Sequence, residues 1–575
     1  KERLNQGKKY EPVKTYMAHH QGLILNSINN IVNKNILKRR FMSNPEIKSV
    51  EILLNERMPE TVVLSKEKGN KLTKGKYINK YDDKEIIYKN ENKFKRVNAI
   101  SSDNYTSVID TNGRGYSKYN NIQINRNRNR LDDKEGIGFF VKNIRNKKTW
   151  STFESDEVKF TQYKEEFIKK AENIETQMKI FLVPDKSAEI RQLTIKNKGI
   201  LKEEIEIYGY LEPVLSDVRQ DIAHPSYNNM FLKFEYENHI IIASRKINDK
   251  TIYLGVKLLN NNNQEIEIEL EKEKFWGRNN KYPKSVIESS NFTNEIRETV
   301  EPIIALRTKL EIEAKESEKI NLLIYTAESK EELIKNIEET GNDNIEQILE
   351  LAQAKSEEEI KFLGLNGEKI ENNQKILGHI LEKDIPKNID IEYKIEDVWK
   401  FGISGDYPII LVELKNVEEM YVVDELLETI EFFNVKNIRI DLCILNNENT
   451  SYETFVKDEI NESIKNHRLE YLKNNQIFVL NKSELTKADI KLIRAIAQVT
   501  INGQIGGIRN NLDEIEKTEE RKFEKQYIEQ STNEKVEKEE TIFENEYGGF
   551  KNNEYIWEQL LLKTLEDTHG LTIVD

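Results

Sequence analysis

Hydrophobic residues follow two different periods along the chain. In residues 1–60 they recur with the period of an α-helix, which predicts helices on both sides of Pro45. The clearest run consists of Leu23, Ile24, Ile28, Ile31 and Val32. Two helices bury too little surface to fold alone, so we expect this segment to be the tail of an upstream helical domain. Residues 61–95 are rich in Lys, Asn, Gly and Asp, and predict a linker with short extended pieces.

Between residues 96 and 328 the hydrophobic period changes to two, which is typical of strands. The alternation is clear in residues 203–210, 265–270 and 309–314, and turn residues such as Asn112-Gly113 separate the runs. A region of this length with many short strands and few helices predicts a large antiparallel β-super-sandwich.

The C-terminal part predicts three further units. Residues 329–389 return to the helical period and form a helical connector. Residues 390–505 alternate strands with amphipathic runs, which predicts a small parallel α/β domain with right-handed crossovers. The predicted strands are 408–414, 438–445 and 476–480, and the predicted helices are 416–434, 452–473 and 486–498. Residues 506–575 form a charged linker and a terminal helix over 554–566. The predicted fold class is therefore multi-domain and mainly β.

Composition narrows the class of protein. The 575 residues include 9% aromatics, too many for a disordered acidic chain, and suffice for several folded domains. The formal charge of −13 argues against broad nucleic-acid binding, which needs a basic surface. The single cysteine, Cys443, excludes an internal disulfide framework and a cysteine-based zinc site. No apolar run is long enough to span a membrane. Because the chain begins with Lys inside a helical period, we expect it to be part of something longer.

The paired histidines are the first candidate site. His19 and His20 are adjacent, so on a helix they point about 100° apart and do not form the i, i+4 pair that chelates a metal. No further ligand occurs at a suitable spacing, and the sequence predicts no metal. The histidines are either packing residues or part of a polar site that faces a ligand.

A second candidate lies in residues 110–130. Two glycines bracket Arg114, and Tyr116 follows, in an arrangement suited to a tight hairpin or a close approach to a ligand. After them Arg126, Arg128 and Arg130 occupy one face of a predicted strand. Three guanidinium groups beside tyrosines suit a glycan, a phosphate or single-stranded nucleic acid. The alternative is an exposed edge strand whose charges block aggregation.

Three clusters of aromatic and polar residues form a third candidate. They contain Trp150, His224 and the segment Trp276-Gly-Arg278. A Trp beside Gly and Arg suits stacking on a sugar ring, although buried tryptophans are more often part of a core. The segment Gly402-Ile-Ser-Gly lacks the order of a nucleophile elbow, so Ser404 is a poor nucleophile candidate. No pair of carboxylates stands out for acid–base catalysis, and we assign no catalytic residue.

Several motifs carry a resemblance to a known family. Tyr16-Met-Ala-His-His-Gln-Gly, Arg39-Arg-Phe and Glu51-Ile-Leu-Leu-Asn-Glu-Arg resemble the end of the glucoamylase-like domain of bacterial cyclic β-1,2-glucan synthases. Further motifs resemble, in order, the β-sandwich of glycoside hydrolase family 94, formerly glycosyltransferase family 36. These are Asn112-Gly-Arg-Gly-Tyr-Ser, Asp221-Ile-Ala-His-Pro-Ser-Tyr, Phe275-Trp-Gly-Arg-Asn and Glu301-Pro-Ile-Ile-Ala-Leu-Arg. Gly402-Ile-Ser-Gly-Asp-Tyr-Pro-Ile and Tyr547-Gly-Gly-Phe resemble later parts of the same synthases.

The resemblance implies which parts of such a synthase are present. These synthases build β-1,2-glucan from UDP-glucose in a membrane-anchored domain, cyclise it in the glucoamylase-like domain, and carry a C-terminal phosphorylase-like barrel. This chain would hold the tail of the cyclisation domain and the first sandwich, without the barrel and its general acid. After Phe550 the family would continue into a second sandwich, but here the sequence runs on for a few residues and departs from the family pattern at Glu558, which suggests a truncated or interrupted reading frame. We expect a cytoplasmic protein that is not catalytic alone.

The resemblance also implies a ligand and its contact residues. The expected ligand is β-1,2-glucan or a related oligosaccharide, and the expected partners are the remaining synthase domains. No cofactor, metal or nucleic acid is expected. The candidate glycan-binding residues are Tyr16, His19, His20, Gln21, Arg114, Tyr116, Trp150, His224, Trp276 and Arg278. Two alternatives stay open: an interaction module of a split synthase that binds no glycan itself, and a residual transglycosylase or phosphorylase.

Overall fold

The structure is a computed structural model that describes most of the chain between residues 18 and 557. The described ranges are 18–41, 85–89, 94–127, 135–260, 265–277, 281–342, 344–382, 394–447, 455–518, 542–545, 548–551 and 554–557. The helix predicted after Pro45 lies outside them, as do Tyr16, Arg128, Arg130 and Arg278.

Two helices are described near the N-terminus, where the apolar period predicts them. Helix α1 spans Ala18–Val32 and helix α2 spans Ile36–Phe41. The apolar residues of α1, including Leu23, Ile24 and Ile31, are exposed.

In the described part of the chain between residues 86 and 327, nineteen strands form three sheets. They are β1 (Ile86–Lys89), β2 (Val97–Ser102), β3 (Tyr105–Asp110), β4 (Gly115–Tyr119), β5 (Ile122–Asn125), β6 (Gly138–Asn143), β7 (Thr149–Ser151), β8 (Glu157–Phe160), β9 (Lys164–Ala171), β10 (Ile174–Leu182), β11 (Ala188–Asn197), β12 (Glu203–Leu211), β13 (Pro213–Ser216), β14 (Lys233–Glu237), β15 (Ile240–Ile247), β16 (Lys250–Asn260), β17 (Glu267–Glu271), β18 (Pro302–Ile312) and β19 (Ser317–Ala327).

The three sheets are antiparallel, which confirms the predicted super-sandwich. The first has the order β1-β8-β9-β10-β11-β19-β16-β15-β14, the second β17-β18-β12-β6-β7, and the third β13-β5-β4-β3-β2. One hydrophobic core draws on all three, for example through Ile180, Ile207 and Ile109. Strand β1 lies within 61–95, where the sequence predicts a linker with short extended pieces, and pairs with β8 at the edge of the first sheet.

Short helices interrupt the sandwich, and three longer ones follow it. The short ones are α3 (Val218–Ala223), α4 (Pro225–Asn229), α5 (Lys272–Trp276) and α6 (Lys284–Glu288). The longer ones are α7 (Lys330–Asn342), α8 (Ile345–Leu363) and α9 (Gly367–Glu382). Helix α9 packs against β2 so closely that a Cβ added at Gly378 would lie 2.2 Å from the carbonyl oxygen of Lys95.

A small parallel sheet, as predicted, forms the centre of the α/β unit. Its strands are β20 (Ile409–Leu414), β21 (Asp441–Asn446), β22 (Ile477–Asn481) and β23 (Val499–Asn502), in the order β22-β21-β20-β23. Its helices are α10 (Met420–Val435), α11 (Phe455–Asn466), α12 (Lys487–Ile496) and α13 over 508–518. Strand β23 was not predicted. Helix α13 occupies part of the predicted charged linker and buries Ile508 and Leu512.

The α/β unit is attached to the sandwich through the C-terminal end of α10. The last carbonyls of a helix have no partner within the helix. Ser101 Oγ and Thr106 Oγ1 donate to the carbonyls of Val435 and Lys436, at 3.3 and 3.0 Å, and Lys118 Nζ donates to that of Asn437. The two parts also share one hydrophobic core, in which Val97 and Ala99 of the sandwich pack with residues of α9, α10 and β20.

The end of the chain differs from the prediction. Strands β24 (Ile542–Asn545), β25 (Gly548–Lys551) and β26 (Glu554–Trp557) form an antiparallel sheet. Residues 554–557 were predicted to begin a terminal helix, but they pair with β25 instead. The isolated segment Glu-Tyr-Ile-Trp is too short for periodicity to distinguish a helix from a strand.

We expect Gly378→Ala to destabilise the protein, because the new methyl group overlaps the backbone of Lys95 and separates α9 from β2. Overpacking of this kind costs about 1–3 kcal/mol, which exceeds the helical preference of Ala. The control is Gly341→Ala in α7, where the nearest atoms lie 3.8 Å from the added Cβ. Urea denaturation would show a loss for the first variant and no loss for the second. Equal stability of the two variants would contradict the close packing.

Candidate functional site

A buried ion cluster forms around Arg126, which directly follows β5. The side chain is only 2% exposed. Its Nε and Nη2 donate to the two carboxylate oxygens of Asp221, at 2.9 and 2.6 Å, and its Nη1 pairs with Glu212. Nη2 also donates to Asn229 Oδ1 at 2.7 Å. The sequence left two interpretations of this arginine, a ligand contact or a charge on an exposed edge strand. Neither holds, because the side chain is buried and its guanidinium is already hydrogen-bonded within the protein.

Arg126 keeps its charge in spite of its burial. Burial alone would lower the pKa of Arg126, but the hydrogen bonds and charges of Asp221 and Glu212 raise it above its ordinary value. Lys272 Nζ at the start of α5 lies 2.9 Å from the second oxygen of Glu212. A buried charge is tolerated only when it is paired and hydrogen-bonded, so these segments must meet around Arg126.

The cluster holds the buried side of α3 and α4 in place. Asn228 Nδ2 donates to Asp221 at 3.1 Å, and Asn229 Nδ2 donates to the carbonyl of Val300 at 3.0 Å. Arg245 Nη1 donates to Asn228 Oδ1. The inward polar side chains of the two helices are thus anchored, and their other side chains face outward.

The outward side of these helices carries exposed aromatic and polar side chains. We call it the α3–α4 surface and define it by Arg219, His224, Tyr227, Met230 and Phe231. Tyr227 is 62% exposed, and its ring centroid lies 5.0 Å from that of Phe231 in an edge-to-face contact. The guanidinium of Arg245 lies 5.4 Å from the centroid of the Phe231 ring, within cation–π range. An aromatic pair with planar hydrogen-bonding groups beside it is suited to a ligand with both apolar faces and hydroxyl groups.

The α/β unit borders this surface. Arg219 Nη1 lies 2.9 Å from Asp406 Oδ1, which joins α3 to the turn before β20. In the same turn the ring of Tyr407 lies under the guanidinium of Arg439, at 4.1 Å from ring centroid to Cζ. Two motifs far apart in the sequence, 221–227 and 402–409, are therefore neighbours in space.

Asp441 supports this turn from the start of β21. Its backbone N–H donates to the carbonyl of Pro408 at 2.8 Å. Its carboxylate is buried, and among the described residues neither oxygen accepts a hydrogen bond. Burial raises the pKa of Asp441 to about 6, and the charge of Arg439 opposes this rise.

The predicted site residues are distributed over several places. His224 lies between α3 and α4, on the exposed surface. Trp150 is 3% exposed and donates its indole N–H to Thr176 Oγ1 at 3.2 Å. Trp276 is 4% exposed and lies edge-to-face on Phe140, with ring centroids 5.4 Å apart. Both tryptophans are therefore core residues and offer no face to a sugar.

Arg114 and Tyr116 point in different directions. Arg114 Nη1 donates to the carbonyl of Glu135 at 2.9 Å, and its guanidinium lies 4.8 Å from the centroid of Phe153. Phe153 in turn contacts Phe140, so that rings connect Arg114 with the Trp276 cluster. Tyr116 packs against the core of the α/β unit, and burial raises its pKa to about 12.

The N-terminal candidates form a separate group. His19, His20 and Gln21 are exposed on α1, with the two imidazole centroids 4.2 Å apart. Tyr16 and Arg278 lie outside the described residues. Of the predicted residues that the structure describes, only His224 lies on the α3–α4 surface.

Sequence reasoning missed Phe231, Arg245 and the pairing of Arg219 with Asp406. Tyr227 stood in a quoted motif, but nothing in the sequence distinguishes its exposed ring from a buried one. The residues that follow it, Asn228-Asn229-Met-Phe, do not indicate a site in the sequence, because the hydrogen-bond partners of the two asparagines are far away along the chain.

The described ranges contain no group of three His, Cys, Asp or Glu residues that could hold a metal ion. Among the helices that the structure describes, none has the length and apolar character to cross a membrane.

Comparison with known protein families identifies what the sandwich is similar to. Residues 84–343 match the glycosyl hydrolase 94 supersandwich domain. The chain is also similar to cyclic β-(1,2)-glucan synthase NdvB of Rhizobium meliloti (strain 1021), with 23% identity over 496 residues. The match covers 81% of this chain and 17% of the length of that relative. The resemblance to these synthases is therefore confirmed, for a chain that spans a small part of such a protein.

Solved structures also include partial matches. A bacterial glucoamylase complexed with acarbose is 11% identical with a TM-score of 0.32, covering 52% of this chain and 44% of that one. A kojibiose phosphorylase from the human microbiome is 8% identical with a TM-score of 0.31, covering 54% and 43%. These TM-scores are too low to establish a shared overall fold.

We expect Arg126→Met to destabilise the protein strongly, because it leaves Glu212 and Asp221 buried with one cation fewer. Removal of one partner from a buried ion pair costs about 3–5 kcal/mol. Arg219→Met is the matched control, since it breaks an exposed pair that contributes about 0–1 kcal/mol. Denaturant unfolding measures both. A loss below 1 kcal/mol for Arg126→Met would contradict the role of the cluster.

We expect Asp441→Asn to change how stability depends on pH. Because the folded-state pKa of about 6 exceeds the ordinary value of 3.8, the folded state binds more protons between these two pH values. Protonated Asp441 therefore contributes to the unfolding free energy in full below about pH 4. This contribution, ~3 kcal/mol at most, is lost as the pH rises through 6. The unfolding free energy measured between pH 4 and 8 should therefore vary less with pH in Asp441→Asn than in the wild type. The control Asp185→Asn, which changes an exposed residue, should keep the wild-type pH dependence. Identical pH profiles for the wild type and Asp441→Asn would refute this assignment.

Proposed function

We propose that this chain is a non-catalytic part of a cyclic β-1,2-glucan synthase system, and that its sandwich domain binds β-glucan at the α3–α4 surface. One observation carries the proposal: an exposed pair of aromatic rings lies on a glycosyl hydrolase 94 supersandwich domain, above the buried Arg126 cluster. The similarity to a cyclic β-(1,2)-glucan synthase supports the choice of glucan.

The chemistry of the surface suits an uncharged sugar chain. The C–H faces of a pyranose ring are apolar and pack on aromatic rings, as apolar groups do elsewhere. Hydroxyl groups both donate and accept hydrogen bonds, and the exposed residues Arg219, His224 and Asp406 offer polar groups on or beside this surface. A neutral ligand is also compatible with a chain of net charge −13.

The surface is held rigid before a ligand arrives. The buried side of α3 and α4 bonds to Arg126, Arg245 and the carbonyl of Val300. A rigid surface loses little conformational entropy on binding, so more of the contact energy appears as affinity. We place no catalytic step here, and the remaining domains of a synthase are the proposed partners.

We expect Tyr227→Ala to weaken the binding of β-1,2-gluco-oligosaccharides about tenfold, since one stacked aromatic side chain contributes at least about 1 kcal/mol. Isothermal titration calorimetry measures the affinity. Tyr471→Ala removes another exposed tyrosine outside this surface and should leave the affinity unchanged. Neither variant should lower the melting temperature, because both side chains are largely exposed.

Two results would count against the proposal. Absence of binding heat for every oligosaccharide length, with the wild-type protein folded, would remove glycan binding. Equal affinities of the wild type and Tyr227→Ala would move the site elsewhere. Co-purification with a protein that contains a phosphorylase-like barrel, without glycan binding, would favour the interaction module.

A further inference from the structure

A concave region lies between α9, α10 and the start of α13, far along the chain from the α3–α4 surface. It is an open groove of about 260 Å³. Its lining is polar: Asn372 and Asn373 come from α9, Glu425 and Thr429 from α10, and Arg509 from α13. Pockets for drug-sized ligands measure about 300–1,000 Å³, so this groove has room for roughly one sugar ring.

Two amides in the groove have hydrogen-bonding capacity to spare. Asn372 is 8% exposed, and its side chain makes no hydrogen bond to another described residue. Asn373 accepts a hydrogen bond from Thr429 Oγ1 at 3.2 Å, while its own N–H groups have no partner among the described residues. Both side-chain amides open to the groove, so their unused hydrogen-bonding groups are available to a ligand or to water.

Four of the five charged side chains that line the groove form two ion pairs. Lys369 Nζ lies 2.6 Å from Glu428, and Arg509 Nη1 lies 3.7 Å from Glu368. Glu425 accepts a hydrogen bond from the backbone N–H of Ile508 at 2.9 Å. The groups left for a ligand are therefore the amides and the carboxylate of Glu425, which can bond to hydroxyl groups, while the negative charge of Glu425 disfavours a phosphate.

We propose that this groove binds one sugar unit of a neutral glucan, as a second contact point separate from the α3–α4 surface. The class of sugar rests on the proposed function, whereas the site rests on the groove and its unpaired amides. The described lining contains no aromatic ring, so hydrogen bonds alone hold the sugar and the affinity is in the millimolar range.

Hydrogen–deuterium exchange with mass spectrometry tests both sites in one experiment. The probe is sophorose, the β-1,2-linked glucose disaccharide, added to the full chain at increasing concentration. Peptides that cover residues 504–512 report the groove, and those that cover 217–231 report the α3–α4 surface. We expect protection of 504–512 in the wild type and about tenfold weaker protection in Asn372→Leu, which loses the amide.

Asn336→Leu is the matched control, because it makes the same change in the helix α7, away from the groove. It should keep the wild-type protection. If Asn372→Leu fails to fold, Asn372→Ala takes its place, since it also removes the amide, and unchanged protection in that variant would overturn the proposal.

The pattern of protection separates the two proposals. Protection of 217–231 alone overturns the groove and leaves the proposed function standing. Protection of 504–512 alone supports the groove and counts against glucan binding at the α3–α4 surface. Protection of neither segment overturns both, and equal protection in the wild type and Asn372→Leu overturns the groove.

Discussion

The pairing of Arg126 is the interaction on which the α3–α4 surface of the sandwich depends. A buried guanidinium without partners is strongly unfavourable, so the chain must bring carboxylates to it from two other segments. Glu212 comes from the connection between β12 and β13, and Asp221 from α3. Lys272 joins the cluster from α5 and Asn229 from α4. Segments spread over 147 positions of the sequence, from 126 to 272, are thus held together at one point.

Side chains of α3 and α4 that do not contribute to this pairing face outward, which leaves Tyr227 and Phe231 exposed.

The position of the α/β unit follows from a second requirement of the same kind. The terminal carbonyls of α10 need donors, and side chains of β2, β3 and β4 supply them. Helix α9 meanwhile closes on β2, with Gly378 against the backbone of Lys95. The unit and the sandwich therefore share a core rather than a surface contact. Since this attachment is fixed, the pairing of Arg219 with Asp406 is a consequence of it, and the α/β unit forms one border of the α3–α4 surface.

Much of the fold follows from local pattern, and much of the site does not. Alternation over 203–210 predicts a strand because one period covers the whole segment, and β12 occupies it. Strand β23 has only four residues, and β26 likewise, so their types are set by pairing with other strands rather than by their own sequence. Trp150 and Trp276 illustrate the limit for site residues. A tryptophan suits a sugar and a core equally well, and only the surrounding rings, such as Phe140, decide between them. Arg126 has the same ambiguity, since a charge pattern does not reveal the distant carboxylates that bury it.

The burial of both tryptophans changes how a glycan would be recognised. Stacking would fall to Tyr227 and Phe231, whose rings present apolar faces that fit any pyranose in a similar way. Such contacts give affinity with little discrimination between linkages. Hydrogen bonds to particular hydroxyl groups discriminate more strongly, because a mismatched partner leaves a polar group unpaired. The groove beside α9 offers unpaired amides of this kind and no aromatic ring in its described lining. The two sites would therefore divide the task, with the α3–α4 surface supplying most of the affinity and the groove most of the selectivity for the sugar.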